Sequence, residues 1–278
     1  MAAAATAVAL LPILAVLVQG FRLRGEWSLA PWQALLHALP SCATGQAPLA
    51  CGDPLPDAFR LGSALGFSLL YAATSTAAAL ALTACLAYGS RRLGGPLRRA
   101  AEGLASLPVA GSGILLGVAY LATFHYMGFW PLEGTIWIVL LAHTVLVFPF
   151  VARLVLPAWD AHDPAVDEAA RLLGAPPRDV MARIHWPLLR PTVLAAASLA
   201  AALSLGDFGA SSMLQEESTR SLTVWIAQVD GPFDPLRHAS AVALAGFLCV
   251  LTLTAYLVVE RAAWRSGRST LAREVSPR

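Results

Sequence analysis

Six apolar runs, at about 3–20, 62–88, 104–125, 135–157, 191–214 and 239–259, have the length that crosses a lipid bilayer. A helix rises about 1.5 Å per residue and the hydrocarbon core is about 30 Å thick, so roughly 20 mostly apolar residues suffice for one crossing. A chain in lipid must pair its backbone amides internally, and runs rich in Ala, Leu and Val do so as helices. The expected fold is therefore all-α and transmembrane, with six spans. Composition agrees. The chain is 57% hydrophobic and 13% charged, about half the charged share of a soluble domain. A net charge of +2 offers no electrostatic footprint for nucleic acid.

Arginine sets the orientation, because cytoplasmic connections hold the excess of basic residues. With the N-terminus inside, the inner segments hold 13 arginines, among them Arg91, Arg92, Arg171, Arg178 and Arg261, and the outer connections hold five. Arg153 stands near the inner end of the fourth span, where it snorkels inward. Both termini are expected in the cytoplasm. The first run lacks the positively charged start of a signal peptide, and no clear small-x-small cleavage site follows it. It reads as a retained helix.

All 19 basic residues are arginine and none is lysine. A P-loop needs the lysine of GxxxxGK[ST] to reach the nucleotide phosphates, so any ATP hydrolysis must occur on another polypeptide. No HExxH, no GxSxG and no close pair of carboxylates inside a span is present, so the sequence shows no residues for enzyme chemistry. Four cysteines form no metal pattern. Cys85 and Cys249 fall inside apolar runs, where a thiol is a small buried hydrophobe. Cys42 and Cys51 share one polar connection, where a disulfide and two unpaired thiols are both open readings. That outer connection, about 21–61, also carries Trp27 and Trp32, with room for a short interfacial helix and indoles at headgroup depth.

The inner connection, about 158–190, is too long to be structureless in a compact protein. Asp163-Pro164 is a good helix start, with Asp as N-cap and Pro at the first helical position. Asp167 and Glu168 lie in the first turn, where the helix dipole favours negative charge. Gly174 followed by Ala175-Pro176-Pro177 ends that helix, since glycine accepts a left-handed cap and proline cannot continue the ladder. The spacing predicts a second helix from Pro177 to Ile184 or beyond, after which Pro187 and Pro191 bend the chain into the fifth span.

Glu168-Ala169-Ala170, then Gly174, Ile184 and Pro187, resembles the EAA loop of bacterial ABC importer permeases, with Trp186 standing where that family usually has Leu before the final Pro. The resemblance covers about residues 62–260 and implies a six-helix permease bundle of the type I importer kind, with a cytoplasmic coupling-helix hairpin. It further implies an ATPase partner that binds ATP and Mg and docks at Glu168, Ala169, Ala170, Gly174, Ile184 and Pro187. A second permease half, identical or different, and an extracytoplasmic solute-binding protein would complete the transporter in the bacterial inner membrane. On this reading 1–61 hold the first helix and outer loop, 62–260 the permease core, and 261–278 a cytoplasmic tail. The runs 105–121, 204–214 and 220–229 look like the permeases for thiamine and iron(III); polyamine, sulfate and molybdate permeases share the broader pattern.

Asp207 is the one acidic residue well inside an expected span, about 22 Å along the helix from Thr192. An intramembrane acid is costly and faces a cavity or a partner. Gly206 and Gly209 permit a helix break there. Two readings stand: a gate or cation contact with Phe208 as plug, or a helix cap or interhelical hydrogen bond. His143 in the fourth span reads first as a satisfied core histidine, and Tyr120 and His125 are further pathway candidates. Gly113 and Gly117 form a GxxxG suited to close helix packing. The rival class is an ion-coupled secondary transporter. It needs coupling-ion ligands near the midplane, for which only Asp207 and His143 offer themselves, and it leaves the loop unexplained.

Overall fold

A computed structural model describes residues 14–33, 61–90, 95–106, 112–126, 128, 135–216, 219–230 and 235–274. Among them four helices are long and apolar enough to cross a membrane: Gly62–Ser90, Ile136–Asp160, Arg178–Leu205 and Pro235–Val258. The all-α transmembrane expectation holds. In chain order the helices are α1 (Leu61–Ser90), α2 (Gly95–Ser106), α3 (Gly113–Tyr126), α4 (Ile136–Asp160), α5 (Pro164–Leu172), α6 (Pro177–Val180), α7 (Trp186–Leu205), α8 (Gly209–Leu214), α9 (Leu222–Val229) and α10 (Pro235–Glu274).

The bundle forms because α1, α4, α7 and α10 bury small or β-branched residues against one another. In lipid the apolar effect between helices is weak, and close backbone approach takes its place. Helix α1 buries Ala64, Ser68, Ala72, Ser75, Ala79, Thr83, Ala87 and Ser90, a stripe of small side chains interrupted in size only by Tyr71. Helix α4 buries every fourth residue from Val139 to Trp159, passing His143, Val147, Val151 and Val155. Ala196 and Ala200 of α7 meet Val147 and Val151 in the central cluster.

Several expectations need correction. The third span does not begin at 104. Residues 95–106 form the separate helix α2, in which Arg98, Arg99 and Glu102 interrupt the apolar residues, and the apolar helix is only Gly113–Tyr126. At about 1.5 Å per residue those 14 residues cover roughly 21 Å, less than a full crossing. The fifth span does not run from 191 to 214: it ends at Leu205, and after Gly206–Phe208 the chain resumes as α8. A hydropathy window averages over that break, since its flanks are equally apolar. The long outer connection also holds a feature the sequence does not announce, a β-hairpin that pairs Arg22 with Trp27 and Leu23 with Glu26. Arg24 (φ 52°) and Gly25 (φ 89°) form its loop, the two positive φ values of the hairpin turn whose twist matches the strands. Residues 30–33 then make one helical turn. Trp27 is exposed, whereas Trp32 stacks on Phe21 at 5.2 Å. Most of the first apolar run and both Cys42 and Cys51 lie outside the described residues; 14–19 are helical.

Candidate functional site

Two places gather the residues the sequence singles out. The first is the inner connection. Helix α4 continues to Asp160, so the connection opens at Ala161 and not at 158. Asp163 caps α5 as expected: its Oδ1 accepts from the Ala165 amide at 2.9 Å, with Pro164 at the first helical position. At the other end Gly174 takes φ +77°. Ala175 N donates to Ala170 O at 3.0 Å and Gly174 N to Arg171 O at 2.9 Å, the paired bonds of a Schellman cap. The helix between these caps presents Glu168, Ala169, Leu172 and Leu173 to the outside, with both leucines more than four-fifths exposed. Apolar side chains displayed at the tip of a capped helix form a surface suited to a protein partner.

The second half of the expected hairpin is different. Pro177–Val180 is followed by a π-helical turn at Met181–His185 and then directly by α7, so helix runs unbroken into the span. Pro187 and Pro191 therefore do not bend the chain out of the loop. Pro187 has no amide to donate and its ring crowds the carbonyl four residues back. The turn opens just before it, with Trp186 N reaching Met181 O, and one wide turn accommodates the proline without ending the helix. Ile184 and Pro187 are half-buried along this segment.

The sequence reading overlooks what the wide turn does with His185. Its ring is buried, its Nε2 lies 2.7 Å from Asp167 Oδ1, and it packs against Trp159 (5.1 Å) and His162 (5.2 Å) at the foot of α4. His162 Nδ1 donates to Ala158 O at 2.8 Å. A cavity of 330 Å³ lies beside this cluster, between Asp163 and Val166 on one wall and Ile184, His185 and Leu188 on the other. The available signal was a pair of histidines within and just before a recognisable loop.

The second place is the break at Gly206–Phe208. Asp207 is buried, and its Oδ2 accepts from Ser211 N at 3.0 Å and Ser211 Oγ at 3.1 Å. His143 bridges Ser204 (Nδ1, 2.8 Å) and Ser211 (Nε2, 2.9 Å), and its Nε2 stands 3.6 Å from Asp207 Oδ2. Ser75 donates to Ser204 at 3.2 Å, and Thr223 donates to the Asp207 carbonyl at 2.7 Å. The network ties α1, α4, α7, α8 and α9 together around one acid. Within this chain Asp207 accepts from the first turn of α8 and links it to α4 and α9. Phe208 is exposed and lines a groove of 620 Å³ with Ala202, Thr223, Leu248 and Tyr256. Tyr120 is half-buried and stacks on Phe124 at 6.1 Å, beside the Tyr71–Ile138 cluster. His125 is exposed at the end of α3. Gly209 and Gly113 provide the close approach that seats α8 on α3: a Cβ on Gly209 would meet Ile114 N at 2.8 Å. Among the described residues no group of three or more His, Cys, Asp or Glu side chains is placed to hold a metal ion.

Comparison with known proteins places this architecture. In Salmonella typhimurium, a protein with the provisional name 2-aminoethylphosphonate transport system permease protein PhnV is 32% identical over 162 residues, 58% of this chain and 60% of that one. This chain thus spans less than two thirds of that relative's length. The putrescine transport system permease protein PotI of Escherichia coli is 27% identical over 208 residues, 72% of this chain and 73% of PotI. A bacterial ABC transporter that imports the polysaccharide alginate shares the fold at TM-score 0.59 and 16% identity, covering 84% of this chain and 89% of its own. The family model of the binding-protein-dependent transport system inner membrane component matches residues 73–264. Most of the chain, including the capped helix, the wide turn and the broken span, lies inside that match, and the protein belongs to this family of multi-pass ABC importer permeases.

Proposed function

We propose that this chain is the translocating subunit of an ATP-driven importer and that α5 is the handle by which an ABC ATPase moves it. The observation that carries the reading is α5 itself. It is capped at both ends, it has no buried side chain among those described, and it displays Leu172 and Leu173 at its tip. A core helix buries such residues, and a mere linker needs no Schellman cap. Glu168, Ala169, Ala170 and Gly174 form the docking surface, and Ile184 and Pro187 join it to the span. ATP and Mg are bound by the partner, consistent with a lysine-free chain. A second permease half and an extracytoplasmic binding protein complete the assembly, and both termini face the cytoplasm.

The solute is small and is handed over by the binding protein. Thiamine and iron(III) follow from the segments at 105–121 and 204–214; the names of relatives add 2-aminoethylphosphonate and putrescine, and one thiamine permease covers 45% of this chain at 30% identity. The Asp207 carboxylate is occupied by α8, so selectivity rests with the binding protein and with groups other than this acid. An ion-coupled carrier has less support, since its two candidate ligands, Asp207 and His143, already satisfy each other's neighbours.

Co-purification of the ATPase with the tagged chain tests the coupling role. The native sequence retains the ATPase, and Glu168→Ala or Gly174→Pro releases it; full retention in both variants contradicts the reading. Uptake of labelled thiamine, ferric iron, 2-aminoethylphosphonate and putrescine by cells with and without the gene then identifies the solute class.

A further inference from the structure

Helix α5 has little of its own to hold it in place. Its nine residues are fewer than the roughly 12–15 that make an isolated helix even marginally stable. Among its described side chains Ala165, Val166, Glu168, Ala169, Arg171 and Leu172 are exposed, and only Asp167 and Ala170 are half-buried. A push on such an element is absorbed locally unless something rigid receives it.

Asp167 meets such a receiver. Its carboxylate is hydrogen-bonded at 2.7 Å to a ring that is 5% exposed and packed at a tilt against Trp159 and His162. His185 belongs to the wide turn that continues without interruption into α7, and α7 ends at the Asp207 break. The imidazole thus stands where α5, the foot of α4 and the base of α7 converge. Beside this bond a cavity of 330 Å³ is lined by Asp163 and Val166 and by Ile184 and Leu188. Because a carboxylate only accepts, His185 Nε2 carries the proton in the bond. An ionised acceptor makes this bond stronger than a neutral one.

We propose that the Asp167–His185 bond is the joint through which displacement of the docked helix α5 reaches α7 and the Gly206–Phe208 break. Asp167 and His185 are then positioning residues for transport, distinct from the docking residues. This rests on the reading that α5 binds the ATPase.

The test uses the whole complex, permease with co-expressed ATPase in lipid nanodiscs, and follows amide hydrogen exchange with and without ATP and vanadate. Asp167→Ala removes the acceptor at a half-exposed position without altering the buried ring. His185→Phe keeps a ring against Trp159 and His162 and removes the donor, and His185→Gln restores a donor. In the native complex nucleotide changes exchange in residues 164–176 and in 206–216. In Asp167→Ala, His185→Phe and the double variant the ATPase still co-purifies and the change at 164–176 persists, while the change at 206–216 is lost. The double variant loses no more than either single one, since each breaks the same contact, and His185→Gln recovers the response. A full response at 206–216 in Asp167→Ala or His185→Phe overturns the joint, as does a native complex in which 206–216 never responds. Release of the ATPase by Asp167→Ala also overturns it, making Asp167 a docking residue. A native chain that holds no ATPase refutes the coupling reading itself, and co-purification shows this before exchange is measured.

Discussion

Gly209 sits directly on Gly113: a Cβ on Gly209 would stand 3.1 Å from Gly113 Cα and 2.8 Å from Ile114 N. Backbone meets backbone here, and no flexible side chain is present to yield. Gly117 repeats the contact one turn along α3, where an added Cβ would meet Met213 Cβ at 2.9 Å. Gly209→Ala and Gly117→Val are expected to lift α8 from α3 and destabilise the protein by about 1–3 kcal/mol, the range for overpacking. A lowered midpoint of thermal unfolding in detergent is the measurement. Gly66, with nothing within 4 Å of its added Cβ, is the control position and its alanine variant leaves the midpoint unchanged or raised.

Asp207 is expected to behave as a cap. Asp207→Ala leaves the buried Ser211 amide without its acceptor, at a cost of about 1–3 kcal/mol, and lowers the unfolding midpoint. Asp207→Asn keeps an acceptor oxygen and loses less. ATPase co-purification is unaffected in both, because the acid lies past the end of α7 that is remote from α5. A cation-contacting acid predicts the opposite ranking: uptake abolished by Asn with stability intact.

Gly174 needs its left-handed backbone and nothing else, since no atom lies within 4 Å of an added Cβ. Gly174→Ala therefore imposes conformational strain alone, about 1 kcal/mol. The expected result is faster amide exchange across 164–176 and weaker ATPase retention, with an unchanged midpoint for the bundle. Gly174→Asn, which tolerates this region better, should fall between.

Ser68 supplies a cap from a distance. Helix α9 begins after Ser221, whose side chain makes no cap bond, and the Leu222 amide donates instead to Ser68 Oγ on α1 at 2.7 Å. Ser68→Ala is expected to cost about 1 kcal/mol. Tyr71→Phe, which removes the bond to Thr219 O, costs a similar amount. A combined variant separates α1 from the 219–229 segment, readable as exchange in that segment.

Legibility followed range. Asp163, Pro164 and Gly174 announce the two ends of α5 because caps are written within a few residues. The GxxxG at Gly113 and Gly117 was visible as a packing signal, but its partner, the six-residue α8, was not, because nothing local says that helix lies across the bundle. The break at Gly206–Phe208 was permitted by its glycines, yet the apolar residues on both sides read as one span. The wide turn at Met181–His185 was hidden for a different reason: two prolines look like a stop until a whole bundle is present to hold the helix through them. Ser68 and His185 depend on contacts 154 and 18 residues away, beyond any periodicity.

The wide turn also decides where along the inner face the loss of one residue can be absorbed. An ordinary helix advances about 100° per residue, and the π turn stores one residue beyond what a straight path would need. Deleting Ala182 would let that turn relax to ordinary winding with both flanks on their present faces, whereas deleting a residue from the ordinary winding of α7, such as Arg190, would swing α5 about the span axis by roughly a quarter of a revolution. Glu168 and the exposed leucines would then point away from any motor seated beneath the bundle. A protein shortened this way should fold, reach the membrane, and stand there disconnected.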